Sequence, residues 1–189
     1  RDWGNNVVAL CWVDYFRGQF AQGAQRYRDI QAQAHESHNV ELQTWSLAGQ
    51  ALHALRLGQT DQAVSLWEQA LPMLATVAES RVTEILSHGG MAIAHLRRGE
   101  SSLAWQSAGA ATRLIRQSPA ASFPTFDGFA GAAEVYLSLW EGELISDSRL
   151  QIADGKTTHV PKSEIQNRQS EIPALARQAC KALQNFARA

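Results

Sequence analysis

Apolar side chains recur at helical spacing along most of the chain, in three similar blocks. Phe20, Ala24, Tyr27 and Ala34 form one stripe, Ala63, Trp67, Ala70 and Leu74 a second, and Ala104, Ala108, Ala111 and Ile115 a third. Steps of three, four or seven residues place each set on one face of an α-helix. Ahead of every stripe stands a glycine, followed five positions later by a small residue: Gly18 and Gly23, Gly58 and Ala63, Gly99 and Ala104. The three leading glycines lie 40 and 41 residues apart. Basic residues precede them (Arg17, Arg56, and Arg97 with Arg98), and seven positions before each glycine the side chain is small: Cys11, Ala51 and Ala92. One helix is predicted to end at each glycine, which reaches the left-handed conformation that closes a helix, with cations near the negative helix end. A second helix is predicted two or three residues later, capped by Thr60 or Asp61 in one copy and by Ser101 in another. Small residues on both sides of the turn let the two antiparallel helices approach closely.

A fourth unit is altered. Phe126 to Trp140 reads as its first helix, with Gly142 in the turn position, 43 residues after Gly99. Residues 143–170 are polar, contain Asp154-Gly155 and Pro161, and are expected to form a long, partly mobile insertion. Pro173 stands where the second helix would start, and Leu175, Ala179, Leu183 and Phe186 share one face of it. The stretch from Ser118-Pro119 to Phe123-Pro124 reads as the linker into this unit. The expected architecture is all-α, an α-solenoid of eight main helices without a sheet. It forms one domain over residues 1–189, with units at 1–37, 38–78, 79–118 and 123–189, the last interrupted by 143–170.

Composition narrows the function classes. Hydrophobic residues make up 45% of the chain, too many for disorder throughout. With 17 basic side chains against 18 acidic ones the chain has no field for a polyanion, so nucleic acid is not an expected partner. Two cysteines, Cys11 and Cys180, provide neither a disulfide scaffold nor paired zinc-ligand spacing, and a reducing, cytoplasmic setting is expected. No apolar run is long enough to span a membrane, and no signal segment is visible. Because the chain opens on Arg1, it is expected to be a piece of something longer.

Catalytic patterns are missing. Asp154-Gly155-Lys156-Thr157 ends like a phosphate-binding loop but lacks the upstream glycine, and no nucleophile elbow occurs. His35 and His38 flank Glu36 at a helix end, close enough to share a metal, yet two ligands make no site and the helix dipole explains a C-terminal histidine. His53, His88 and His95 sit beside apolar positions and read as packing residues. Neither a cofactor nor a metal is expected.

The glycine–alanine arrangement, with an aromatic four positions on (Trp67, or Tyr27 after Gly23) and Ala70 three later, resembles the tetratricopeptide repeat. The period of 40 or more exceeds the usual one, Ala108 replaces the aromatic in the third copy, and the closing proline is absent apart from Pro72. The Leu-Arg-Leu-Gly and Leu-Arg-Arg-Gly helix ends, with the tail from Ala174 to Arg188, resemble the C-terminal helical region of large bacterial signalling proteins. Those proteins join a nucleotide cyclase domain, an AAA-type ATPase and a repeat array. The repeat domain of large ATP-dependent transcriptional activators is a close rival. The resemblance implies a non-catalytic protein-interaction or signal-relay module of a larger protein. The rival implies a ligand-sensing domain instead.

In stacked helix pairs the first helices line a concave surface, which solenoids use for binding. Counting back from each glycine puts Trp12, Tyr15 and Phe16, then Leu52 and Arg56, then Ile93 and Arg97, and finally Tyr136 and Trp140 on that face. Two arginines flanked by aromatics suit an acidic or aromatic segment of a partner protein, or another domain of the parent chain. The first helix is apolar around much of its circumference, and Trp3 and Val7 are expected to remain uncovered, which would favour a homodimer through the N-terminal end.

Overall fold

The computed structural model of the chain describes residues 2–77, 80–117 and 125–150, with eight positions between 171 and 184. Among the described residues there is no strand. The helices are α1 (Asp2–Phe16), α2 (Phe20–Glu36), α3 (Val40–Arg56), α4 (Thr60–Leu74), α5 (Arg81–Arg97), α6 (Ser101–Arg116) and α7 (Thr125–Leu150). The described positions between 171 and 184 are helical as well.

The turns follow from the glycines. Gly18, Gly58 and Gly99 have φ of 72°, 77° and 74°, a region that a Cβ disfavours. At each, the glycine N–H and the next N–H turn back onto the helix just ended. Gly18 donates to the Tyr15 carbonyl at 3.1 Å and Gln19 to the Asp14 carbonyl at 2.8 Å, and the same pair recurs at Gly58 and Gly99. His38, at φ 54°, closes α2 in the same way, and Asn39 then accepts from the Leu42 N–H to cap α3. The expected caps at Thr60, Asp61 and Ser101 are corrected. The turn is so tight that Gln59 and Glu100, directly after the glycines, are themselves the cap positions, without side-chain cap bonds, and the three polar residues fall inside the first turn.

Consecutive helices pack as pairs (α1 on α2, α3 on α4, α5 on α6). The pairs join through α2 on α3, α4 on α5 and α6 on α7, with α5 also against α3 and α7. The repeated small residues sit where the helices press together: Cys11, Ala51, Ala92, Ala63 and Ala104 are fully buried. A second recurrent contact joins neighbouring units. The ring of Tyr27 lies on Gly49 and that of Trp67 on Gly90, so close that an added Cβ would stand 2.3 Å from the ring in both cases. In the third unit Ala108 takes the aromatic's place, and the first helices themselves close up. A Cβ on Gly128 or on Gly131 would stand 2.4 Å from the carbonyl oxygen of Ile85 or Gly89 respectively, so α5 and α7 meet backbone to backbone.

Two further expectations change. α7 does not end at Gly142 but runs on to Leu150. No basic residue stands just before this glycine, good helix formers follow it, and a glycine inside a helix costs only about 1 kcal/mol. The remainder of the expected insertion, 151–170, and the linker 118–124 lie outside the described residues. On α1, Val7 packs against Cys11, Tyr27 and Ile30 instead of being uncovered, and the Trp3 side chain is outside the described set. The exposed side of α1 carries Leu10, Val13 and Phe16 instead.

Candidate functional site

Tyr15 lies in the last turn of α1, Arg56 ends α3, and Asp127 is in the first turn of α7. In a flat row of first helices, at about 9 Å per step, α1 and α7 would stand about 27 Å apart. Instead the row bends until their side chains touch. The Tyr15 hydroxyl donates to Asp127 Oδ1 at 3.0 Å, Arg56 Nε donates to that hydroxyl at 2.6 Å, and Arg56 Nη2 donates to Asp127 Oδ1 at 2.7 Å. The result is a closed three-membered ring of hydrogen bonds joining units one, two and four.

Local structure favours each charge. Arg56 sits at the negative end of α3 and Asp127 at the positive start of α7. The Asp127 side chain is only 11% exposed, whereas that of Arg56 is 42% exposed. The Arg56 guanidinium also lies over the Tyr15 ring, 5.4 Å from its centre. Burial opposes the Arg56 charge, but Tyr15 and Asp127 outweigh it and hold the guanidinium above its ordinary pKa. Burial first, then the Asp127 charge, push the Tyr15 phenol well up, so it stays a neutral donor. Trp12 meets Tyr15 edge-on at 5.5 Å and stacks with Phe16 at 6.5 Å, forming an aromatic rim.

The other predicted face residues divide. Phe16, 64% exposed, and Trp140, 40% exposed, reach the surface. Arg97 is exposed too, and its Nη1 donates to the Leu55 carbonyl at 3.0 Å, tying α5 to the end of α3. Leu52, Ile93 and Tyr136, expected on the concave surface, are buried instead. Tyr136 turns toward α6, where its hydroxyl meets Thr112 at 3.1 Å and its ring meets Trp105 at 5.3 Å. The physical reason is positional: all three stand six residues before their glycine, and that position turns into the core, Leu52 and Ile93 in the cluster of Trp67 and Leu86, and Tyr136 in the cluster of Phe129 and Val135. Asp127 went unforeseen. An acid in a first turn reads as a helix-dipole residue, and nothing in its neighbours points to Arg56, 71 residues earlier.

Two of the histidines, His53 and His95, are packed in the interior. His53 is fully buried among the rings of Tyr15, Phe20 and Tyr27, with Nδ1 donating to the Gly49 carbonyl at 2.8 Å and Nε2 without a partner. His95 pairs with Glu100 at 2.7 Å, and that contact, ahead of the nearby Arg98, holds the Glu100 carboxyl below its ordinary pKa. Among the described residues no three His, Cys, Asp or Glu side chains gather closely enough to hold a metal, and no helix is long and apolar enough to cross a membrane.

No family model matches the chain, and no curated protein matches it. Among solved structures it is similar to the crystal structure of BtubC (BKLC) from P. vanneervenii, with a TM-score of 0.56 over 97% of this chain and 75% of that one. Sequence identity is 15%, so the likeness extends to the fold alone.

Proposed function

We propose that the chain is a tetratricopeptide-like, non-catalytic interaction module that relays binding at its inner face to the packing of its units, within a larger cytoplasmic bacterial signalling protein. The observation that carries this reading is the ring of Tyr15, Arg56 and Asp127. Arg56 is half in solvent, rimmed by Trp12 and Phe16, and its Nε and Nη2 are already aimed by their partners. A partner segment bearing a carboxylate beside an aromatic side chain satisfies both features of the rim. Such a carboxylate competes with Asp127 for Arg56, so binding loosens α7 from α1 and α3. The same event that recognises the segment therefore changes how the fourth unit sits.

Panning a random peptide library displayed on phage against the chain tests this. Enriched sequences are expected to pair Asp or Glu with Trp, Tyr or Phe, and Arg56→Met is expected to weaken the best of them at least tenfold. Enrichment without acidic residues, or binding indifferent to Arg56→Met, refutes the reading.

A further inference from the structure

His53 is set into the junction of units one and two at a place where packing alone asks for no histidine. It stands five residues before Gly58 and meets Gly23, five residues after Gly18. At the next junction the same two positions are Ala94 and Ala63, both fully buried in one apolar cluster. Between α2 and α3 one of the pair has become an imidazole and the other a glycine, and a Cβ at Gly23 would stand 2.3 Å from His53 Nε2. The ring is fully buried, with those of Tyr15, Phe20 and Tyr27 around it at 5.5, 6.3 and 5.5 Å between centres. The alanine pair fills its site without burying a polar atom, whereas His53 Nε2 has no hydrogen-bond partner among the described residues.

The surroundings suit the neutral ring alone. Nδ1 donates to the Gly49 carbonyl at 2.8 Å, so a second proton enters on Nε2, where the close approach of Gly23 leaves no room for a water between ring and helix. Two carboxylates act on His53, Asp14 from α1 and Asp127 from α7. Each is already matched, Asp14 by Arg26 of α2 and Asp127 by Arg56 of α3, both at 2.7 Å. Burial raises the pKa of Cys11 and Tyr15 on α1 and of Tyr27 on α2, so all three stay neutral. A protonated His53 is therefore an uncompensated buried cation, which is relieved only by admitting water. Burial accordingly lowers its pKa from the ordinary 6.5, so an opened junction binds the proton more readily than the closed one, and falling pH favours opening.

The contacts decide what opens. The imidazole meets α1 through Tyr15 and α2 through Phe20, Tyr27 and Gly23, so solvating it separates the α1–α2 hairpin from α3. Tyr15 is also the side chain that donates to Asp127 and accepts from Arg56. We propose that His53 is a proton-operated latch, whose protonation frees unit one from unit two and withdraws Tyr15 from the Tyr15–Arg56–Asp127 ring. As regulation of the Arg56 site the latch rests on the role proposed for that site, but its opening is measured with no ligand present.

The three tyrosines of the chain supply the test. With carbon-13 at tyrosine Cζ, the Tyr15 and Tyr27 resonances are expected to shift together as pH falls from 7.5 to 5.0, while that of Tyr136, buried against α6, stays in place. Cys11, buried in one cluster with Tyr27, is expected to react at least tenfold faster at pH 5.0 than at 7.5 with dithiodipyridine, a thiol reagent that remains active in acid. The double variant Gly23→Ala, His53→Ala rebuilds the alanine pair of the next junction and is expected to lose both responses. His53→Phe, which keeps a ring in the site, is the second variant and is expected to behave alike. Persistence of the responses in a folded variant overturns the proposal, as does a Tyr15 resonance unmoved down to pH 5.0. Movement of Tyr136 in step with Tyr15 means that the whole chain unfolds at once, and overturns it too. Peptide binding enters none of these readouts, so a failed latch leaves the Arg56 reading to its own test.

Discussion

Replacing Gly90 by alanine sets two opposed effects against each other at one atom. Alanine in a helix interior ordinarily gains about 0.8–1 kcal/mol over glycine. At Gly90 the new methyl would stand 2.3 Å from Cζ2 and 2.4 Å from Cη2 of Trp67, against a comfortable carbon–carbon separation of about 3.5–4.0 Å. Trp67 is fully buried, so its ring has nowhere to retreat. Overpacking of this kind costs about 1–3 kcal/mol, and a trapped indole belongs at the upper end. The clash therefore outweighs the propensity gain, and Gly90→Ala is expected to lose about 2 kcal/mol, a fall in Tm of about 4–8 °C for a domain of this size. Gly109 is the internal control, because nothing lies within 4 Å of an added Cβ there. Gly109→Ala is expected to gain about 1 kcal/mol by propensity alone. Urea unfolding followed by far-ultraviolet circular dichroism measures both. In a Trp67→Ala background, itself about 3–5 kcal/mol less stable, Gly90→Ala should change sign and stabilise. A Gly90→Ala variant as stable as the parent, or a loss that persists without the tryptophan ring, would refute the reading of this contact as a fitted socket.

Three further outcomes follow from buried polar groups. Burial holds the His53 pKa below the ordinary imidazole value of 6.5, a depression that the Gly49 carbonyl, the Cys11 backbone and the Asp14 and Asp127 charges only partly offset. The unfolded chain therefore binds the proton first, so stability is complete above about pH 6.5 and falls as pH drops below it, with a limiting slope of about 1.4 kcal/mol per pH unit. His88, shifted the same way by burial, adds to the trend. Urea midpoints at pH 7.5 and 5.0 measure it, and His53→Phe should flatten the dependence. Asp127→Asn removes the charge that holds Arg56, and because Arg56 is well exposed the expected loss is only about 1 kcal/mol, with protease cleavage of α7 accelerated more than cleavage of α4. Burial and then the Asp14 charge push the Cys11 thiol up to about 12, so iodoacetamide at pH 8 should label Cys180 alone in the folded chain and both cysteines in urea.

The helix pairs were legible because their determinants are local. A glycine at positive φ, the small residues around it and a helical stripe all lie within about one repeat, and the spacing of Gly18, Gly58 and Gly99 betrays them without any partner in view. The sockets were nearly as legible. Gly49, Gly90 and Gly131 are each 41 residues apart, and the first two receive the aromatics already singled out at Tyr27 and Trp67. That spacing carried the information, but a glycine in mid-helix has no local mark to separate a fitted contact from a tolerated weakness. The end of α7 was misread for a related reason: Gly142 resembles the turn glycines in position alone, without the arginine before it or the small residue five places later.

The ring at Tyr15, Arg56 and Asp127 depends on a quantity that no single repeat encodes, the accumulated rotation from one unit to the next. Sequence spacing placed Tyr15 and Arg56 on one surface, since both are counted from a glycine in the same way. It placed Leu52, Ile93 and Tyr136 there too, each six positions before its glycine, and failed at all three, because that position faces the core and not the surface. At the third step an alanine stands in for the aromatic, and α5 and α7 approach through Gly89, Gly128 and Gly131. The same approach carries the first turn of α7, with Asp127, to Tyr15 and Arg56 on α1 and α3. A change from aromatic to alanine at residue 108 and the arrival of a carboxylate at Arg56 are thus two results of one packing change. Restoring an aromatic at residue 108 should therefore disturb Tyr15 and Asp127 even though residue 108 is no member of their hydrogen-bonded ring. A shift of the Asp127 carboxyl resonance in the Ala108→Phe variant is the expected sign; an unchanged resonance in a folded variant would separate the two and show that the bend has another origin.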